Sequence, residues 1–267
     1  MRAKYEIIAL DVDGTLLNDQ HELTIEVKEA VREAAKQGAQ IVLCTGRGPI
    51  SALPVLDELG LGGILIAHNG AATILAENKT ILHEYTMEPE HLIKYMDYCR
   101  KWNVHYDLNT AFEMMVEQLT PEAEEMYGKF LAMPSILKAG EELPDGLLKF
   151  TAFGTKERMD QVQAEWEQWP SELQPIRSGD YFIDVQHSEA SKGMALKQLA
   201  LSRRVEASKI MAIGNYYNDV TMLQYAGLGI AMDNSPDEVK AAAQAIAPSN
   251  NDNGVAKALY EYALQGK

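Results

Sequence analysis

The sequence predicts an α/β protein, a Rossmann-like parallel sheet core, with an α+β domain inserted into it. Three observations predict this class: four short apolar runs that end in polar residues, helical patterns between them, and a middle stretch where strand and helix patterns come in pairs. The runs are YEIIALD (5–11), QIVLCTG (40–46), GILIAHNG (63–70) and KIMAIGN (209–215). Their apolar residues are continuous rather than alternating, the pattern of strands buried on both faces of a parallel sheet.

Between the first two runs, LTIEVKEAVREAAKQG offers Thr24 as an N-cap and Gly38 just past the helix end. Val27, Val31, Ala34 and Ala35 share one face, so strand, helix and strand form a βαβ unit. After the last run, NDVTMLQYAG reads as a helix with Met222, Leu223 and Ala226 inward. Ligands of such sheets bind beyond the carboxyl ends of the strands, and those ends carry Asp11, Thr45, Asn69 and Asn215.

The stretch 84–186 reads differently. PEHLIKYMDYCRKW is a helix; VHYDLN and FEMMVEQ form a hairpin across Thr110 and Ala111; TPEAEEMYGKFLA is a helix opened by Pro121. LLKFTAFG is then a strand, ERMDQVQAEWEQW a helix closed by Pro170, and LQPIRSG with YFIDVQH a second hairpin. The expectation is a discontinuous core of residues 1–83 and 187–267, with 84–186 inserted as a cap.

Composition narrows the function. With 24 basic and 39 acidic residues the formal charge is −15, and no basic block relieves it, so nucleic acid is excluded as a partner. Cys44 and Cys99 cannot form the disulfide framework of a small secreted domain. The first apolar run, about five residues, is shorter than the roughly seven to fifteen of a secretory leader. No stretch approaches the roughly 18 apolar residues of a membrane span. These features predict a cytoplasmic protein that uses no membrane; they leave its oligomeric state, monomer or weak dimer, open.

The motif DVDGTLL sets two carboxylates, Asp11 and Asp13, just past a buried strand and before a glycine. Alone, this reads equally as a strand cap and an Asp-Gly turn. Three further strand ends bearing phosphate-handling or metal-handling groups favour a site.

DVDGT, CTGR, HNG, the lysine of ASKGMAL and GNYYND occur in the order found in the haloacid dehalogenase superfamily, and the chain resembles its Cof-type sugar-phosphatase branch over nearly its whole length. The resemblance implies a Mg²⁺-dependent phosphatase of small phosphorylated metabolites, with a cap that closes over the ligand. Asp11 would be the nucleophile that becomes an aspartyl-phosphate, and Asp13 the acid and base. The second aspartate argues for phosphoryl transfer rather than dehalogenation. Lys192 would offset the charge of nucleophile and phosphate. Thr45, Gly46 and Asn218 would touch the phosphoryl group. Asn69 would contact substrate or cap, and Arg47 would steer an anion or pair with a surface acid.

Asp11, the Asp13 carbonyl, Asn215 and, through a water, Asp219 would hold Mg²⁺. In the cap, Tyr181 and Asp184 stand as specificity positions or ordinary strand residues, while Met114, Met115, Trp166 and Trp169 read as packing.

Asn215 departs from the pattern, since most relatives carry aspartate there. An asparagine keeps a carbonyl oxygen of similar reach but removes one formal charge, so Asn215→Asp should tighten Mg²⁺. Two alternatives stay open: a non-catalytic phospholigand-binding protein with a weakened metal site, and a phosphomutase or phosphotransferase using the same aspartyl-phosphate.

Overall fold

The structure, a computed structural model, describes residues 4–129, 133–138, 140–170 and 172–264. The chain opens with β1 (Ile7–Leu10), α1 (Ile25–Lys36), β2 (Gln40–Cys44), α2 (Pro49–Leu59), β3 (Ile64–Ala67), β4 (Ala72–Leu75) and β5 (Thr80–Glu84). There follow α3 (Pro89–Trp102), β6 (His105–Asn109), β7 (Met114–Val116), α4 (Pro121–Lys129), β8 (Ser135–Ile136), β9 (Lys149–Phe153), α5 (Lys156–Trp166), β10 (Leu173–Gly179) and β11 (Phe182–His187). The last segment holds α6 (Lys192–Arg203), β12 (Ile210–Gly214), α7 (Val220–Tyr225), β13 (Leu228–Met232), α8 (Asp237–Ala242), β14 (Ala245–Ala247) and α9 (Gly254–Ala258). The described residues fall into two compact units, one drawn from Met1–Arg47, Ala52–His83 and Ser191–Lys267, the other from Gly48–Ser51 and Glu84–Ala190.

In the first unit eight strands pair in the order β14-β13-β12-β1-β2-β3-β4-β5. The six from β14 to β3 are parallel, and β4 returns antiparallel to β3. Side chains leave β1 alternately: Ile8 and Leu10 join a core with α1, α2 and α9, while Ile7 and Ala9 join one with α6, α7 and α8. Burial on both faces explains the continuous apolar run. At the start of α1 the Thr24 hydroxyl accepts from the Val27 N–H, and Val27, Val31 and Ala34 are buried as expected. Ala35 is only half buried.

Four of these strands, β1, β2, β3 and β12, are the apolar runs of the sequence. Two of the others, β4 and β5, form a short antiparallel extension whose last strand is mostly exposed, so no apolar run marks it. In β13 and β14 a glycine and small alanines replace the branched residues that mark the other strands.

The second unit is a six-stranded sheet, β10-β11-β9-β6-β7-β8. Both expected hairpins are present: β6 pairs β7 through Leu108 opposite Met115, and β10 pairs β11 from Leu173 opposite His187. The inserted domain is thus α+β. Tyr106, Leu108, Phe150, Ala152, Ile183 and Val185 pack with α3 and α5 residues, including Trp166, in one apolar cluster. The helix predicted to run to Pro170 stops at Trp166, three residues before Trp169, and the end of the TPEAEEMYGKFLA helix, 130–132, lies outside the described residues.

Candidate active site

Strands β12, β1, β2 and β3 are contiguous and parallel, so their carboxyl ends lie along one edge of the sheet. The chain leaves β1 for β2 on one side and later places β12 on the other. That reversal of strand order opens a crevice where ligands of open α/β sheets bind.

Asp11 follows β1, and only 5% of it is exposed. Lys192, the first residue of α6, is buried too, and its Nζ donates to Asp11 Oδ1 at 2.7 Å and to Asp219 Oδ1 at 2.6 Å. A lysine at a helix N-terminus opposes the helix dipole, so these carboxylates are what make its position tenable. Burial alone would lower the ammonium's pKa, but Asp11 and Asp219 outweigh it and hold it above the ordinary lysine value. Burial, then the charge of Asp219, pushes the Asp11 carboxyl up to about 7 against the opposing pull of Lys192.

Asp219 is fully buried, and its second oxygen accepts from the backbone N–H groups of Asn215 (2.8 Å) and Tyr216 (3.0 Å). This approach needs Gly214, where an added Cβ would stand 2.6 Å from the Asp219 Cβ. The carboxylate thereby folds the loop after β12 back on itself and aims the Asn215 side chain.

Oδ1 of Asn215 accepts from the Thr15 hydroxyl at 3.1 Å. Turning the amide about its last bond puts Nδ2 at that spot, 3.1 Å from Thr15 Oγ1, 3.0 Å from the Asp13 carbonyl oxygen and 3.0 Å from Asp11 Oδ2. The other end of the amide lies against Gly14, whose φ of +74° suits glycine and whose missing Cβ leaves room. One carboxylate oxygen, one backbone carbonyl and one amide oxygen therefore converge, which suits a hard cation that takes oxygen ligands. Among the described residues no group of three or more His, Cys, Asp or Glu could hold a metal, and this set is of another composition.

The Asp13 side chain is gripped by Arg47, whose Nε donates to Oδ2 at 2.7 Å and whose Nη2 donates to Oδ1 at 2.5 Å. His21 Nδ1 lies 3.6 Å from the same Oδ1. Of the two partners expected for Arg47, it takes an acid, and that acid belongs to the site. The buried Thr45 hydroxyl accepts from the Arg47 N–H at 3.0 Å, and the Thr45 carbonyl accepts from the Asn69 N–H at 3.0 Å. Asn218 Nδ2 donates to Asn69 Oδ1 at 2.9 Å, and that oxygen sits so close over Gly46 that a Cβ there would approach it to 2.9 Å. The expected residues thus form two adjoining groups: Asp11, Asp13, Arg47, Lys192, Asn215 and Asp219, and beside them Thr45, Gly46, Asn69 and Asn218.

Three further residues support the site. Thr15 touches Asn215 directly. Asn234, just past β13, donates to the Gly14 carbonyl at 2.8 Å, and Asn250 donates to the Leu17 carbonyl at 3.1 Å and to Asp19 Oδ1 at 3.0 Å. Asn250 also donates its N–H to Asn234 Oδ1 at 3.3 Å, so the two amides hold the loop after Asp13 together. GLGIAMDN, a fifth apolar run ending in a polar pair, was the signal that could have found Asn234. In the second unit Tyr181 is exposed and precedes β11, while Asp184 is buried and accepts from the Thr151 hydroxyl at 3.0 Å. No helix among the described residues is long and apolar enough to cross a membrane.

Residues 8–259 match the family model described as haloacid dehalogenase-like hydrolase. The chain is 36% identical to YxeH of Bacillus subtilis, covering 97% of this chain and 99% of that one. It is 28% identical to the 5-amino-6-(5-phospho-D-ribitylamino)uracil phosphatase YcsE of the same organism, covering 97% and 96%. A crystal structure of a haloacid dehalogenase-like hydrolase from Bacteroides thetaiotaomicron is similar with a TM-score of 0.83 at 27% identity, over 96% of this chain and 99% of that one.

Proposed function

The chain belongs to the haloacid dehalogenase-like hydrolases and is an enzyme of their phosphatase type; from that premise we propose a Mg²⁺-dependent phosphomonoesterase of the Cof-type branch, acting on small phosphorylated metabolites through an aspartyl-phosphate. The observation that carries this reading is the buried Asp11 carboxylate, with one oxygen on Lys192 and the other 3.0 Å from the Asn215 amide, which lies equally close to the Asp13 carbonyl. YcsE takes a phosphorylated polyol attached to a heterocycle by its name, which supports a compact phosphomonoester as the substrate class here. The two buried free thiols, Cys44 and Cys99, support a reducing, cytoplasmic setting.

Asp11 attacks phosphorus, forming an acyl-phosphate as the bond to the leaving alcohol oxygen breaks. Asp13, its direction fixed by Arg47, donates the proton that this alcohol needs. Water then attacks the phosphoryl group, Asp13 takes its proton, and the bond to Asp11 breaks to release inorganic phosphate. Lys192 pulls the Asp11 carboxyl down against its burial and so favours the ionised nucleophile, while the Thr45 hydroxyl, the Gly46 N–H and Asn218 hold phosphoryl oxygens. Asp11 Oδ2, the Asp13 carbonyl and the Asn215 amide oxygen would hold Mg²⁺, with Asp219 behind them. Bound there, the cation would offset the charge between carboxylates and phosphate.

Asp11→Ala should lower phosphate release from a phosphomonoester panel by at least about 10³-fold, with the fold intact by circular dichroism. Retained turnover would reject the nucleophile. Product analysis with an added acceptor alcohol separates this reading from a mutase or transferase, which would deliver the phosphoryl group to the acceptor.

A further inference from the structure

The amide of Asn215 has one heteroatom at the meeting point of three oxygens: Asp11 Oδ2 and the Asp13 carbonyl at 3.0 Å each, and the Thr15 hydroxyl at 3.1 Å. An aspartate at this position would have only oxygens to present. An amide has two ends of opposite sense, a carbonyl that accepts and an NH₂ with two hydrogens to donate. With nitrogen inward, its two hydrogens fit the two obligate acceptors of the cluster. With oxygen inward, the Thr15 hydroxyl can donate to it, and it joins the other two as a third oxygen ligand.

We infer that Asn215 is a two-position group: its NH₂ bridges Asp11 and the Asp13 carbonyl when no cation is present, and its oxygen faces inward when a divalent cation binds. The inference rests on the cation site proposed above and extends it to the cation-free protein. The nominal charges support it. Asp11, Asp13 and Asp219 carry three negative charges against two positive ones on Lys192 and Arg47, leaving −1. An aspartate at 215 would make this nominally −2, with its carboxylate pressed against that of Asp11. With asparagine, the cation-free site keeps every close pair complementary. The consequence for binding follows: the cation must displace two hydrogen bonds and meets one carboxylate fewer, so the site trades affinity for a cation-free state that is already assembled.

The test compares the full-length wild type with Asn215→Asp and Asn215→Ala, by thermal unfolding in EDTA and in a MgCl₂ series, and by calorimetric Mg²⁺ titration. In EDTA, Asn215→Asp is expected to melt roughly 3–10 °C below the wild type, having lost the bridge and gained repulsion. Mg²⁺ should raise its melting temperature more than that of the wild type, and bind it about tenfold or more tightly. Asn215→Ala should melt low in EDTA and gain little from Mg²⁺, since it has neither donor nor ligand. If Asn215→Asp melts in EDTA at or above the wild type while Mg²⁺ still stabilises both, the exchange is overturned and the cation site stands. If Mg²⁺ moves none of the three proteins, the cation site falls and the exchange with it.

Discussion

Replacing Lys192 by methionine removes one buried charge and keeps the length of the side chain. In the wild type Nζ sits 2.7 Å from Asp11 Oδ1 and 2.6 Å from Asp219 Oδ1, with 0% of the lysine side chain exposed and 7% and 0% of the two carboxylate side chains. Each contact is worth about 6 kcal/mol by Coulomb's law at an effective dielectric of 20, most of which offsets the desolvation of the three charges. Removing one partner of such a group leaves the others uncompensated, and the net loss is about 3–5 kcal/mol. The loss depends on pH. The folded-state pKa of Asp11 is raised to about 7 from 3.8, so its stabilising contribution is present below 3.8 and disappears as pH rises toward 7. Without Lys192 that pKa rises further. The variant's deficit should therefore be larger at pH 8 than at pH 5, where Asp11 holds a proton in both proteins. Denaturant unfolding measures it, with an internal control: Trp102, Trp166 and Trp169, the three tryptophans of the chain, all belong to the second unit. Circular dichroism should show an early transition from the first unit, while tryptophan fluorescence keeps its wild-type midpoint. A deficit below about 1 kcal/mol at pH 8, or one equal at pH 5 and pH 8, would refute the argument that two buried carboxylates depend on this lysine.

Two other outcomes follow from the geometry. Asn250→Ala removes the donors to the Leu17 carbonyl and Asp19 and loosens Asn234 on Gly14; it should cost about 1–3 kcal/mol and lower kcat roughly tenfold while KM changes little, whereas lost stability with unchanged kcat would deny it any part in placing Asp13. In the second unit, burial raises the Asp107 pKa to about 6 from 3.8, against the pull of Lys149, Asn109 and Tyr127. Its folded form holds the proton more tightly than its unfolded form, so this unit should lose up to about 3 kcal/mol as pH rises from about 4 to about 6 and no more above that. Asp107→Asn should flatten that slope in tryptophan-monitored melts, and a wild-type profile already flat over this range would count against the assignment.

What was legible in the sequence follows from how strongly each feature is buried. Continuous apolar runs marked β1, β2, β3 and β12 because those strands are covered on both faces, and their polar ends then gave the site residues. Exposed β5 and the small-residue strand β14 carry no such mark, so half of the sheet went unread. Motifs located Asp11, Lys192 and Asp219, but not that Lys192 bridges both carboxylates, since the residues are separated by 181 and 27 positions. Arg47 shows the same limit. Its identity allowed either a substrate anion or an acid, and only the fold shows that it grips Asp13.

Whether asparagine or aspartate stands at position 215 changes a charge without dismantling the place where that charge sits. The backbone there is held from below by Asp219, whose Oδ2 takes the N–H groups of residues 215 and 216, and that contact is indifferent to the side chain at 215. Asp219 is in turn fixed by Lys192 and by the absence of a Cβ at Gly214. From above, Gly14 leaves space and Thr15 offers a hydroxyl that can donate to an amide oxygen or accept from an amide nitrogen. Position 215 is therefore specified by its neighbours, and the residue there sets only the sign and strength of what it presents to Asp11. On the cation site proposed above, exchanging asparagine and aspartate at this position should therefore alter cation affinity and the cation-free state while the strand-end geometry survives. The same change at Asp219 would unmake the loop, because that carboxylate holds three donors at once and an amide has only one oxygen with which to accept them.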